Sequence, residues 1–243
     1  MKRISFNTVS HIYDKTRGPP EHVKKQLFDI LANELSDYKT ILDAGVGTGR
    51  FAKPLQDSGF EVVGIDIARK MTGRAAEKCV SNLLLSDACF LPFVDTSFDA
   101  TICIHLLHLI SEWKAALQEI CRVTRNVMVS TLYTGRSPIR EAYSRMINQY
   151  GYESRRFGKG EWELRNTVKP SRSVFVISYE ANADKRLEHL AQRAYSRQWS
   201  VPEDINKKVV DELKSRFAGK VFSQGLRLLI WDIDDLEAYC KKS

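Results

Sequence analysis

Residues 40–52 read Thr-Ile-Leu-Asp-Ala-Gly-Val-Gly-Thr-Gly-Arg-Phe-Ala, and no other part of the chain says as much about the fold. The apolar residues before Asp43 predict the end of a buried strand, so Asp43 places a carboxylate where that strand ends. Gly45, Gly47 and Gly49 then alternate, which lets the backbone turn sharply and approach a ligand without Cβ atoms in the way. A helix is predicted to begin at Gly49, and its free N–H groups and positive dipole end face the same crevice.

A second carboxylate, Asp66, ends the next apolar run, Glu61-Val-Val-Gly-Ile-Asp66. In nucleotide sites of open α/β folds, an acid at a strand end about 20 residues beyond the glycines binds the ribose hydroxyls. The sequence therefore predicts a site of this type at the ends of the first two strands.

Two other interpretations of the glycine loop compete with this one. Glycines after a strand often form only a turn. The run Gly47-x-Gly49-x-x-Ala52 also fits the pattern of a nicotinamide dinucleotide site. If Gly47 is the first glycine of that pattern, it lies too far beyond Asp43. If Gly45 is the first glycine, Arg50 occupies a position that needs a small residue for helix packing.

Two further motifs follow the glycine loop and Asp66. They are Asp87-Ala88-x-x-Leu91-Pro92-Phe93 and Ser97-Phe98-Asp99. In their order and spacing, the four motifs resemble the class I S-adenosylmethionine (SAM) dependent methyltransferases, and they are most similar to the type 11 group. The resemblance runs from Asp43 to about Val129, and more loosely over the whole chain. Asp43 also suits SAM, which has an ammonium group near that point and no pyrophosphate.

The resemblance implies a doubly wound, Rossmann-like α/β fold with a seven-stranded sheet of order 3-2-1-4-5-7-6, the last strand antiparallel. Residues 1–243 are expected to form one domain, in which an N-terminal helical segment, residues 1–36, covers the cofactor. Amphipathic helices are predicted over 183–198 and 203–217. Together they are expected to form a helical lid, residues 183–217, inserted between the last two strands.

The resemblance also implies roles for single residues in SAM binding. Tyr13 is expected to cover the ligand, and Arg17 to pair with its carboxylate through a bidentate contact. Asp66 is expected to bind the ribose. Asp87 is expected to accept the exocyclic N–H of adenine while the Ala88 backbone amide contacts a ring nitrogen. A surface turn at Tyr13 to Arg17 and a turn cap at Asp87 are the alternatives.

Ile67 and Met71 follow Asp66 and are placed to give the adenine an apolar floor, although both also suit ordinary core packing. The complete set of predicted cofactor-binding residues is Tyr13, Arg17, Asp43, Gly45, Gly47, Gly49, Asp66, Ile67, Met71, Asp87, Ala88 and His105.

His105 and His108 are the candidate catalytic residues. His105 follows the predicted fourth strand at its carboxyl end, where open α/β sheets bind ligands, and this places it beside the methionine part of SAM. His105 is the first candidate for a general base and His108 the second, because an imidazole of near-neutral pKa takes up a proton efficiently. A histidine that only packs and hydrogen-bonds locally is the alternative for each.

The charge of the chain bears on the methyl acceptor. The net charge is +7, and residues 134–220 hold 18 Lys and Arg against 11 Asp and Glu, so the surplus of seven lies outside the nucleotide site. Between Arg136 and Arg165, six arginines and Lys159 alternate with aromatic residues, which suits single-stranded nucleic acid or a flat anionic metabolite. A solvated basic face is the alternative. The predicted acceptor is a small molecule beneath the lid, with RNA as the second candidate and SAM binding without methyl transfer as the third.

The composition excludes several other classes. A hydrophobic content of 43% and a charged content of 28% are typical of soluble globular proteins. The polar N-terminus has no signal-peptide pattern, and the longest apolar run, Thr101–Ile110, is too short to cross a membrane. The five cysteines have no paired spacing, so we expect free thiols and a cytoplasmic location. Histidines and cysteines do not cluster with ligand spacing, so no metal site is predicted.

Overall fold

The computed structural model describes residues 6–135, 137–152 and 160–242, and a seven-stranded sheet forms its centre. The order of strands across the sheet is β3-β2-β1-β4-β5-β7-β6, with β1 to β5 parallel and β7 antiparallel to both of its neighbours. The predicted doubly wound fold and its strand order are confirmed. In chain order the strands are β1 (Thr40–Ala44), β2 (Glu61–Asp66), β3 (Leu83–Leu85), β4 (Phe98–Ile102), β5 (Thr124–Thr134), β6 (Arg172–Asn182) and β7 (Val221–Asp232).

Helices lie on both faces of the sheet and around its carboxyl edge. Across the three described ranges, none of them has the length and apolar character that crossing a membrane requires. They are α1 (Tyr13–Thr16), α2 (Glu21–Glu34), α3 (Ala52–Asp57), α4 (Arg69–Glu77), α5 (Trp113–Val123), α6 (Pro138–Gln149), α7 (Gly160–Thr167), α8 (Ala183–Ala191), α9 (Glu203–Phe217) and α10 (Ile233–Cys240).

Two helices differ from the prediction because of residues with a positive φ. Helix α3 begins at Ala52 rather than at Gly49, since Gly49 has a φ of +74° and cannot be helical. Helix α8 ends at Ala191 rather than near residue 198, because Arg193 adopts a φ of +52°. A separate 3-10 turn, Ser196–Gln198, follows it.

The core has one layer on each face of the sheet, because successive strand residues point to opposite faces. Ile41 of β1 packs in the layer that includes Leu27 of α2, whereas Leu42 packs in the layer that includes Leu117 of α5. Leu236 of α10 belongs to this second layer. Helix α10, which continues directly from the last strand, was not predicted from the sequence.

Helices α6, α8 and α9 form a cap with a hydrophobic cluster of its own. Its buried polar groups are paired: the Tyr143 hydroxyl donates to Asn206 Oδ1 at 2.7 Å, and Gln198 Nε2 donates to the same oxygen at 2.8 Å. The predicted lid therefore packs as one unit with α6, which precedes β6. Arg136 and residues 153–159, to which part of the predicted basic and aromatic stretch belongs, lie outside the described residues.

Gly49 gives the first testable prediction, because it lies in a tightly packed turn. A Cβ atom there would lie 2.6 Å from Val80 Cγ2 and 3.1 Å from Ala75 Cβ, at a φ of +74°. We expect Gly49→Ala to lower the free energy of unfolding by about 3 kcal/mol, measured by urea denaturation. Gly219 has a similar φ of +71° with open space around it, so Gly219→Ala is the matched control and should cost about 1 kcal/mol. Equal losses in the two variants would show that packing at Gly49 is unimportant.

Candidate active site

Asp43 lies buried at the carboxyl end of β1, at the base of the glycine loop. It accepts a hydrogen bond from the Ala52 N–H at the start of α3, whereas its Oδ2 is buried and has no hydrogen-bond partner in the described part of the chain. Burial, followed by the nearby charge of Asp66, raises the pKa of Asp43 to about 7. An unpaired buried carboxylate oxygen costs free energy unless a cation or donor of a ligand meets it.

The glycine loop and Asp66 hold each other in place. The Gly47 N–H donates to Asp66 Oδ2 at 3.0 Å, and the Ala68 N–H donates to Oδ1 at 2.7 Å. The Gly45 N–H donates to the Ile65 carbonyl at 2.9 Å, which ties the loop to the end of β2. Burial raises the pKa of Asp66, although its backbone hydrogen bonds act in the opposite direction. The N–H groups of Ala68, Gly47 and Ile67 occupy three of the four lone-pair positions of the carboxylate, so Asp66 can still accept one ligand hydroxyl.

The residues predicted to contact adenine follow β2 and β3, which end side by side. Ile67 is 46% exposed and Met71 only 3%, so Ile67 presents the more accessible apolar surface. Ala88 is buried. Asp87 Oδ1 accepts the Cys89 N–H at 3.1 Å, which is the turn-capping contact that the sequence analysis left open as an alternative.

Asp14 anchors the N-terminal segment, residues 6–20, to the glycine loop. Its carboxylate accepts hydrogen bonds from the Thr48 hydroxyl at 2.7 Å and from the Lys78 ammonium at 2.6 Å. No role of Asp14 was predicted from the sequence, because both partners lie more than thirty positions away. Only the fold brings the three side chains together.

Arg17 joins this N-terminal segment to the cap. Its Nη2 donates to the Ala194 carbonyl at 2.6 Å, and its guanidinium lies 4.5 Å from the centroid of the Tyr195 ring. Phe6 and Trp199 make a second contact between the two parts, edge to face at 5.4 Å. Because the same segment is tied to the glycine loop, it connects the loop with the cap.

Tyr13 lies between two guanidinium groups. The Cζ atoms of Arg17 and Arg50 are 5.7 Å and 5.5 Å from the centroid of its ring. Tyr13 is half-buried, and the position of its ring next to Arg50 places it beside the start of α3.

His105 follows β4 and adopts a left-handed backbone conformation with a φ of +59°. Such a conformation is costly for a residue other than glycine and is often found at functional sites. The ring stacks on Tyr133 at a centroid distance of 5.4 Å. Burial lowers the pKa of His105 to about 4, so the imidazole is neutral at physiological pH.

His108 is held by Glu161, a residue that the sequence analysis did not identify. Nδ1 of His108 lies 2.9 Å from Glu161 Oε2, and the Leu106 N–H donates to Oε1 at 3.1 Å. Burial raises the pKa of Glu161, but the His108 hydrogen bond and the two nearby histidines outweigh burial and hold it below the usual value. An ionised Glu161 accepts the proton of Nδ1, which leaves the lone pair of His108 on Nε2.

The same three side chains also have the composition of a metal-ligand set. The candidate ligand atoms of His105, His108 and Glu161 all lie within 4.8 Å of one another. Two imidazoles and a carboxylate suit zinc or iron. The linear spacing of histidines and cysteines could not indicate this cluster, because its carboxylate comes from a distant helix, α7.

An open cavity of about 690 Å³ lies between α2, the start of α3 and the ends of β4 and β5. Its volume is in the range of small-molecule sites. The lining includes Asp14, Arg50, His105, Thr131 and Tyr133. The N-terminal segment, the glycine loop and the first candidate histidine therefore contribute to one space.

Comparison with known proteins gives the class. Residues 42–127 match the family model described as a methyltransferase domain, type 11. The chain is 29% identical over 169 residues to the biotin biosynthesis bifunctional protein BioHC of Cellvibrio japonicus. The matched region covers 67% of this chain and 34% of that protein. It is 37% identical over 87 residues to the demethylmenaquinone methyltransferase of Renibacterium salmoninarum. This matched region covers 35% of this chain and 36% of that protein. The chain thus spans about a third of the length of these relatives.

The fold is similar to that of the magnesium protoporphyrin IX methyltransferase of Synechocystis, solved with bound SAH (S-adenosylhomocysteine), at a TM-score of 0.54. The sequence identity is 17%, and the match covers 92% of this chain and 95% of that one. The family match over residues 42–127 and this shared fold are consistent with a class I SAM-dependent methyltransferase of the type 11 group.

Proposed function

We propose that this protein transfers the methyl group of SAM to a small-molecule acceptor. The observation that carries the proposal is the buried Oδ2 of Asp43, which has no hydrogen-bond partner among the described residues and lies next to a glycine loop that is fixed by Asp66. SAM offers an ammonium group to such a carboxylate, whereas a nicotinamide dinucleotide offers a pyrophosphate, which the carboxylate would repel.

The side chains around the glycine loop fit the parts of SAM. Asp43 suits the ammonium group, and Asp66 suits a ribose hydroxyl through its remaining lone pair. Arg17 suits the methionine carboxylate, since a guanidinium has five N–H donors and Ala194 accepts from only one of its nitrogens. The proposed adenine contacts are Ile67, Met71, Asp87 and Ala88.

The sulfonium of SAM supplies an already activated methyl group, so the task of the protein is to align the two substrates and exclude water. The N-terminal segment and the cap meet through Arg17 and Ala194, and through Phe6 and Trp199. These contacts and the cavity of about 690 Å³ support a small acceptor more than a polynucleotide.

An oxygen or nitrogen acceptor also has to lose a proton. The contact with Glu161 supports His108 as the base, because it orients the ring and leaves Nε2 free to accept. The low pKa of His105 makes it a weak base, and its stacking on Tyr133 suits a role in shaping the site. The proposed order of the two candidates is therefore the reverse of the order predicted from sequence.

Calorimetric titration and a transfer assay test the proposal. We expect the purified protein to bind SAM and SAH and to ignore NAD and NADP. With tritiated SAM, label should enter the small-molecule fraction of a metabolite extract and not total RNA tested in parallel. RNA labelling that falls steeply with salt would favour the RNA alternative. SAM binding with no labelling in either fraction would indicate a SAM-binding role without methyl transfer.

A further inference from the structure

Arginine side chains converge where the N-terminal segment meets the cap. The guanidinium of Arg17 lies over the Tyr195 ring, and Arg197 follows Tyr195 by two residues in the 3-10 turn. From the neighbouring helix α8, Arg186 Nη1 donates to the Ser137 hydroxyl at 3.1 Å. Arg17, Arg186 and Arg197 are all half-buried, and we call them the cap arginines.

The cap arginines are close enough to repel one another. Burial, followed by the charges of Arg140 and Arg186, lowers the pKa of Arg197 to about 10. Burial also lowers the pKa of Arg17, and the charge of Arg186 adds to this effect. Like charges held together away from water destabilise the protein unless an anion offsets them.

Within residues 6–135, 137–152 and 160–242, no carboxylate lies within 4.0 Å of any cap arginine. Some other arginines do have carboxylate partners: Arg122 contacts Glu119 and Asp95, and Arg216 contacts Glu212. The three cap arginines are therefore half-buried and have no carboxylate partner among the described residues.

The cap arginines lie near the carboxyl end of β5. Arg186 donates to the hydroxyl of Ser137, which comes shortly after β5 ends at Thr134. Tyr133, near the same end of β5, stacks on His105, and both of these residues line the open cavity. A group bound to Arg186 would thus lie close to the end of β5, beside the cavity.

We propose that Arg186 and Arg197 bind an anionic group of the methyl acceptor, a carboxylate or a phosphate. This inference rests on the proposed methyl transfer and narrows its acceptor class. Arg17 keeps its proposed contact with the carboxylate of SAM, so Arg186 and Arg197 are the cap arginines that can bind the acceptor. The planar fork of a guanidinium matches both carboxylate and phosphate, each through two parallel hydrogen bonds.

Titration of SAH-saturated protein with two probes, inorganic phosphate and glutarate, tests this inference and separates the two anion types. We expect the wild type to bind one of them, and Arg186→Gln and Arg197→Gln each to weaken that binding about tenfold or more. Arg197→Lys keeps the charge but loses the fork, and should fall between the wild type and Arg197→Gln. Arg216→Gln removes an exposed arginine of the same cap and should leave probe binding unchanged.

Thermal melting and SAH titration of every variant show whether the fold and the donor site persist. If the wild-type protein binds SAH but neither probe, the inference about the cap arginines is overturned and the proposed function is not affected. Equal weakening in Arg216→Gln and Arg197→Gln would also overturn it, because the effect would then be one of net charge. Protein that does not bind SAH would overturn the proposed function itself.

Discussion

Asp43→Asn is expected to weaken SAM binding about 100-fold and to leave the fold intact. The substitution preserves the shape of the side chain but removes the negative charge at Oδ2, which has no partner in the described structure. A buried hydrogen bond between charged groups contributes about 3 kcal/mol, and each 1.4 kcal/mol corresponds to about a tenfold change in affinity. Calorimetric titration with SAM measures the effect. Asp29→Asn, on the exposed side of α2, is the control and should bind SAM as the wild type does.

The same carboxylate should make SAM binding depend on pH. With a pKa of about 7, Asp43 of the free protein is mostly protonated at pH 6 and mostly ionised at pH 7.5. An ammonium group binds the ionised form, so the wild-type affinity should rise about eightfold between these two pH values and level off above them. The Asp43→Asn variant should lack this rise. If Asp43→Asn bound SAM with the affinity of the wild type, or showed the same dependence of SAM affinity on pH, the proposed role of Asp43 would be contradicted.

The first four strands and the glycine loop were predictable because their signals are local. A short apolar run, an acid at its end and alternating glycines all lie within residues 40–52, and the same logic repeats at Asp66. Strand order then followed from the family resemblance. The helix boundaries were less accurate, because a left-handed conformation at Arg193 ends α8 and no sequence pattern marks it.

The unpredicted parts of the site are contacts between residues far apart in the chain. Asp14 meets Thr48 and Lys78, and Glu161 meets His108, only after the sheet has formed. Glu161 lies on an ordinary-looking amphipathic helix, so its carboxylate was indistinguishable from a solvent-exposed one. Arg186 and Arg197 were visible only as part of the basic surplus in residues 134–220, because sequence alone cannot show which charges lack partners.

Glu161→Gln is expected to slow methyl transfer to an oxygen or nitrogen acceptor by about 10²–10³-fold. Glutamine keeps the size of the side chain but cannot stabilise the positive charge that His108 acquires when it takes up a proton. SAM binding should change little, because the contacts proposed for SAM come from other residues. Single-turnover assays with tritiated SAM and the labelled fraction of the extract measure the rate, and SAH titration measures binding. Glu163→Gln, on the same helix and without an ion pair in the described structure, is the control.

A double variant separates a cooperating pair from two independent residues. Suppose that Glu161 acts only by orienting His108 and stabilising its positive charge. In that case His108→Gln and the combined His108→Gln, Glu161→Gln variant should be equally slow, because the rate losses of residues that act as a unit do not add up. Additive losses would show that Glu161 has another role. Activity that disappears with a chelator and returns with Zn²⁺ would reassign His108 and Glu161 from proton transfer to metal binding, with His105 as the third ligand. A histidine whose lone pair is given to a metal cannot take a proton from the acceptor. Full activity in Glu161→Gln would exclude both roles.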